Sequence, residues 1–127
     1  MAIALRQEAF TGDVTGGPAS ISQDFTSLPL SGSTIIVMFA NYRGGGLTPT
    51  VDSVTDNKGN SYSLVQNRAA AAGLAAIWIA TNINPGSGTF TVTGNFTYGA
   101  EGGTADMSIQ EYSGAAATNV VDVSSNN

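Results

Sequence analysis

The sequence has no histidine and no cysteine, and only four of its 127 residues are lysine or arginine. Histidine is the commonest general base, and histidine and cysteine are the commonest soft-metal ligands, so the usual means of acid–base, thiol and zinc chemistry are missing. No disulfide can form. At this length one domain buries about two-thirds of its extended surface, enough for a core without covalent staples. Arg6, Arg43, Lys58 and Arg68 are scattered along the chain. Nucleic-acid binding needs clustered cations to displace counterions, which sets that class aside. No apolar run approaches the ~20 residues of a membrane-spanning helix. The opening residues Met1-Ala2-Ile3-Ala4-Leu5-Arg6 lack the basic-then-apolar pattern of a signal peptide. Either assembly in the cytoplasm or excision from a longer exported chain fits that start.

Charge is sparse as well: 10% of residues are charged, with a net charge of −5. The balance disfavours anionic membranes. A surface made chiefly of Ser, Thr, Asn, Gln and Gly suits an extracellular or virion exterior, or one that packs against copies of itself.

What the chain does contain is short segments with period-two alternation, rich in Thr, Val, Ile and aromatics and separated by Gly and Asn turns. The pattern predicts strands over residues 3–10, 19–25, 33–42, 50–55, 61–66, 74–82, 89–93 and 107–112, with a last short strand at 119–123. Residues 11–18 read as a turn. The segment Ile35-Ile36-Val37-Met38-Phe39-Ala40 is apolar at every position, the mark of a central strand covered on both faces. Asp56-Asn57-Lys58-Gly59-Asn60 between two strands predicts a hairpin, because Asn and Gly accept the positive φ of tight turns. Ala69-Ala70-Ala71-Ala72 reads as a loop or single turn. The expectation is an all-β fold: one antiparallel two-sheet sandwich of about eight strands over residues 1–127, jelly-roll or Ig-like.

Several residue groups invite chemical readings, each with a structural alternative. Asp52, Asp56, Asn57 and Asn60 offer the oxygen ligands that Ca²⁺ takes, yet the spacing matches no EF-hand loop and a tight turn uses the same residues. Glu101, Asp106 and Glu111 suggest the paired carboxylates of a glycosidase. Lys58 raises an intramolecular isopeptide bond, against which stands its place in a solvent-favouring turn. Phe96 and Tyr98 are the best members of a sugar-stacking platform, against the core-filling role aromatics usually have. Asn95-Phe96-Thr97 is a glycosylation sequon by pattern, and the glycines at 44–46 and 99–103 lack the strand, helix and trailing Lys of a phosphate loop.

Three segments in order carry a resemblance: Val54-Thr55-Asp56-Asn57-Lys58-Gly59-Asn60-Ser61-Tyr62, Ala76-Ile77-Trp78-Ile79-Ala80-Thr81-Asn82-Ile83, and Ile109-Gln110-Glu111-Tyr112-Ser113-Gly114. Together they resemble a diffuse family of bacterial surface and phage structural β-sandwich modules, over roughly residues 33–123. The resemblance implies an Ig-like or jelly-roll sandwich in adhesive or virion proteins, and it supplies no catalytic residues.

The expected function is therefore non-enzymatic: a structural subunit of an assembled surface, specifically a phage capsid-decoration or other virion protein, self-associating and bound to protein partners. Its contacts are expected at the chain ends, through Ile3 and Leu5 on one edge strand and Val120, Val121 and Val123 on another, since an unpaired edge is a template for strand addition. No cofactor is expected beyond the calcium considered above. The alternative is an adhesion or carbohydrate-binding module on a bacterial surface.

Overall fold

Alternation alone does not say which strands pair; the buried side chains do. A computed structural model of the chain describes residues 2–42, 50–70, 73–98, 102–118 and 120–121, without the side chain of Asp13. Within them run eight strands: β1 (Ala4–Val14), β2 (Ser20–Asp24), β3 (Thr34–Tyr42), β4 (Thr50–Asp56), β5 (Ser63–Ala70), β6 (Gly73–Ala80), β7 (Thr91–Thr97) and β8 (Thr104–Ser113). They form two antiparallel sheets, one ordered β1-β8-β3-β6-β5 and the other β2-β7-β4.

An Ig-type sandwich pairs its first strand with its second. Here β1 pairs with β8 and β2 with β7, so the chain steps from sheet to sheet as in a jelly roll. The departure is at β5. An even jelly roll would place it beside β4, whereas here it pairs with β6 from Ser63 opposite Ile79 to Ala70 opposite Gly73. Sandwich strands therefore divide five against three. The hairpin expected around Asp56–Asn60 is instead a crossover between sheets, and the true hairpin is β5–β6.

The core lies between the sheets. Ile35, Val37 and Phe39 of β3 and Ala105, Met107 and Ile109 of β8 meet Ile21, Val54, Val92 and Phe96 from the smaller sheet, and all are buried. Phe39 and Phe96 meet edge to face across the layers, with centroids 5.4 Å apart and planes at 83°. This arrangement suits the ring quadrupoles.

Three further expectations are corrected. Strand β1 continues through residues 11–14, read from sequence as a turn, with register shifts between Leu5 and Gln7 and between Thr11 and Val14. Strand β3 is central in its sheet, but only one of its faces meets the second layer: Ile36 and Met38 are half-buried, and Ala40 and Tyr42 are exposed. Val120 and Val121 belong to no strand, while Asn119 and Val123 lie outside the described residues.

Candidate interaction surface

Register places the outward residues of the five-stranded sheet in rows across β8, β3, β6 and β5. One row reads Gln110, Ile36, Ile79, Ser63; the next reads Ser108, Met38, Ile77, Gln66. A third reads Asp106, Ala40, Ala75, Arg68, and a fourth Thr104, Tyr42, Gly73, Ala70. On the flanking β1, Phe10 stands opposite Ser108 and Leu5 opposite Tyr112. Phe10 is 67% exposed, Tyr42 60%, Leu5 49% and Ile77 37%. Side chains of Phe10, Met38, Ala40, Asp106 and Ser108 enclose a shallow notch in this face. The apolar positions form a stripe along β3 and β6, bordered by the polar residues of β8 and β5, with Phe10 and Leu5 beyond β8.

The outer face of the smaller sheet is its opposite in chemistry. Ser22 and Thr93 share a 2.8 Å hydrogen bond, Thr91 donates to Asp24 at 2.6 Å, and Thr97 donates to Asp52 at 2.6 Å. Asn95 donates to Ser53 Oγ at 3.0 Å, so the sequon asparagine is a cross-strand partner within a strand. The face is a hydroxyl and amide array, already cross-linked by its own hydrogen bonds. The molecule is two-sided.

Glu111 is buried on the inner face of β8, and the fold surrounds it with donors. Its Oε1 accepts from Leu30 N at 2.7 Å and faces Arg6 Nε at 3.4 Å, and its Oε2 accepts from Gln7 Nε2 at 2.7 Å. The register shift at Arg6 lets Arg6 and Gln7 reach the same carboxylate, as bulges re-aim side chains. Gln7 also accepts from Ser27 N and donates to Ser27 O, so the carboxylate ties the β2–β3 connection to the sheet. Asp106, five residues earlier on the same strand, points to the outer face; the two carboxylates stand on opposite sides of the sheet. Glu101, the third of that set, lies outside the described residues. These two acids do not form the facing pair that glycoside hydrolysis uses.

Asp56 is likewise saturated. Its Oδ1 accepts from Lys58 N and Asn60 N, and its Oδ2 from Asn60 Nδ2 and Tyr62 OH, at 2.8–3.2 Å. Asn57 and Asn60 clasp the neighbouring connection: Asn57 bonds Thr89 O and Thr91 N, and Asn60 bonds Asn84 O and Asn84 N. Gly59 supplies the positive φ, +81°, that closes the turn. Asp52 lies four residues up the strand, roughly 13 Å away at the strand rise, and is engaged by Thr50 and Thr97. These four residues therefore do not converge on a cation, and among the described residues no group of three or more acidic, His or Cys side chains gathers as a metal site. Burial, reinforced by the Asp56 charge and hydrogen bond, holds the Tyr62 phenol well above its ordinary pKa of 10.0.

The aromatic pair divides. Phe96, 6% exposed, is part of the core, packed edge-on against Phe39, and only borders the recess beside Tyr98. Tyr98 is half-buried, donates to Thr104 O at 3.3 Å, and borders an open glycine-lined recess with Gly16, Gly17 and Gly102. Burial and the nearby Asp106 charge push its phenol up to about 12. Lys58 extends along the turn and donates to Ser87 O at 2.6 Å. Of the expected contact residues, Ile3, Leu5 and Val121 are exposed and Val120 is half-buried. Gly44, Gly45, Gly46 and Gly99 lie outside the described residues.

Between β4 and the β5–β6 hairpin a cavity of about 80 Å³ opens among Thr50, Val51, Leu64, Asn67 and Leu74. That holds one small side chain rather than a substrate. Sequence reasoning missed the apolar outer face, although the unbroken run from Ile35 to Ala40 was its signal. Comparison with family models, curated proteins and solved structures returns no match for this chain.

Proposed function

We propose that this chain is a non-enzymatic structural subunit of an assembled surface, of the kind that decorates phage capsids. The observation that carries the reading is the two-sidedness of the slab. One outer face carries an apolar stripe along β3 and β6, while the other is a polar array that bonds itself and suits water. A subunit seated on a larger assembly needs this asymmetry, because one side must lose water and the other must keep it. The long edge strand β1, with Leu5 and Phe10 outward and Ile3 beside it, adds a border for strand addition. The buried Glu111 and the half-buried Asp56 support the reading too, since both are occupied in holding connections. The resemblance of three segments to surface and virion modules points the same way.

The test is immunogold electron microscopy of particles and cells from the source organism, with antibody raised against the purified chain. Label arrayed at a regular spacing on a particle supports the proposal. Label confined to soluble, unarrayed protein overturns it. A carbohydrate-binding module, the competing reading, instead requires glycan-dependent quenching of Tyr98 or Trp78 fluorescence that disappears in Tyr98→Ala.

A further inference from the structure

We infer that the outer face of the five-stranded sheet is a two-fold interface, and that its occupant is a second copy of this chain. The inference deepens the structural-subunit reading, rests on the same face, and names the partner there.

The argument lies in the order of residues within the rows. In each of the first three rows the two central positions, on β3 and β6, are apolar, and the two outer positions, on β8 and β5, are polar. Reversed left to right, each row keeps its character. A two-fold axis parallel to the strands and running between β3 and β6 performs that reversal on a facing copy. It sets β3 against the second copy's β6 and β8 against its β5, with every row meeting itself. Ile36 then meets Ile79, Met38 meets Ile77 and Ala40 meets Ala75.

Two rows test the match more sharply. In the third, reversal puts Asp106 of one copy opposite Arg68 of the other, twice by symmetry, so the two charged positions in these rows are complementary rather than repelling. In the fourth, it puts the exposed Tyr42 ring over Gly73, the one position of that row that carries no side chain. An axis between β8 and β3 would instead set Asp106 against Ala40 and give Tyr42 no gap.

The size agrees. Four strands at ~4.8 Å spacing and four rows at ~6.7 Å make a patch about 19 by 27 Å, roughly 500 Å² of flat face from each copy. The pair buries on the order of 1,000 Å², near the lower bound for a specific interface. The result is a dimer that dissociates on dilution, not a permanent one. Sheets packed face to face at about 10 Å leave an Asp–Arg pair within reach of each other. Strand β1 falls outside the footprint at both ends, so Ile3, Leu5 and Phe10 stay available to the larger assembly. The hydroxyl faces point outward on both sides.

The test is sedimentation equilibrium of the full chain at low salt, over about a hundredfold range of concentration around the dissociation constant. The expected result is a reversible monomer–dimer equilibrium. Arg68→Asp sets two carboxylates opposite each other and is expected to weaken the dimer at least tenfold; Asp106→Arg, which opposes two cations, does the same. Combined in one chain, the two reversals restore the pair and recover most of the lost affinity. Circular dichroism of each variant checks that the sandwich is intact, and Ile77→Lys, on an exposed position, gives a folded monomer. A wild type that stays monomeric throughout overturns the inference. So does a dimer indifferent to both single reversals. A monomer that still labels particles in regular arrays leaves the structural-subunit reading standing and removes only this interface; a dimer with no arrayed label does the reverse.

Discussion

The ring of Phe39 occupies the place where a side chain on Gly94 would begin. A Cβ built on Gly94 falls 2.5 Å from Phe39 Cε1 and 2.8 Å from its Cζ. Gly94 is buried on β7, and its bareness lets β3 press an aromatic ring against the smaller sheet and meet Phe96 edge-on. Gly94→Ala therefore overpacks the centre of the sandwich. A loss of about 1–3 kcal/mol is expected, the usual cost of forcing a methyl group into a close-packed core. Urea unfolding measures it. Phe39→Leu in the same chain frees the space, so the double variant should be more stable than the sum of the two single losses; strict additivity would show that the ring is not what excludes the methyl group.

How much of this was legible in the chain divides along physical lines. The strands were legible because period-two alternation is a local property, and β2, β3, β4 and β6 fall close to where it predicts them, while β7 runs four residues past the end read for it. Pairing was not. The residues from Asp56 to Asn60 specify a chain reversal, but a reversal serves a hairpin and a sheet-to-sheet crossover equally well; the hydrogen bonds from Asn57 and Asn60 to residues 84–91, far off in sequence, decide it. Gly12 marked an apparent turn, yet it sits within β1 with the Phe10 ring filling the space its side chain would take. Phe96 looked like a surface aromatic because the strand was read as ending at residue 93; β7 continues to Thr97, and its alternation puts Phe96 with Val92 and Gly94 on the buried face. The apolar stripe on the outer face was hidden by an assumption: an unbroken apolar strand was read as covered on both faces, whereas the second sheet covers only one face of β3.

Glu111 is the second place where the fold commits itself. Glu111→Gln replaces an acceptor by a group that is half donor, among Leu30 N, Gln7 Nε2 and Arg6, all of them donors. One of those donors is left unpaired beside the new amide. A loss of about 2–3 kcal/mol is expected, since a stranded buried donor costs roughly 1–3 kcal/mol and lost charge assistance adds to it. Arg6→Ala is expected to cost under 1 kcal/mol, because its side chain is 38% exposed and such pairs are weak. Chemical denaturation of both variants ranks the two. A larger loss from Arg6→Ala would mean that the ion pair, rather than the hydrogen bonds, holds the β2–β3 connection.

Asp56 separates a turn from a cation site. With all four of its hydrogen bonds directed to the chain, Asp56→Ala is expected to cost about 2–4 kcal/mol, by loss of a turn cap and exposure of a buried phenol without its partner. Millimolar calcium should leave the melting temperature of the wild type unchanged, and a chelator should do the same. A calcium-dependent rise in melting temperature that disappears in Asp56→Ala would show instead that the carboxylate exchanges its donors for a metal ion.

The same turn sets the alkaline limit of the fold. Tyr62 is raised above 10.0 by burial first and by Asp56 second, and Tyr98 is raised to about 12 by burial first and by Asp106 second. Below pH 10 both phenols are neutral in the folded and the unfolded chain, and stability does not depend on them. Above it the unfolded chain loses protons that the folded chain keeps, so the unfolded state binds fewer protons and stability must fall as pH rises. For Tyr98 the loss runs from about pH 10 to about 12; for Tyr62 it begins at the same point and continues beyond. Melting temperatures from pH 8 to 12 are expected to be flat and then to drop. Tyr62→Phe should start lower at pH 8, having lost the bond to Asp56, yet fall less steeply above pH 10 because it has no proton to lose. Parallel curves for the variant and the wild type would show that Tyr62 ionises as freely in the folded chain as in the unfolded one, and that its burial does not protect it.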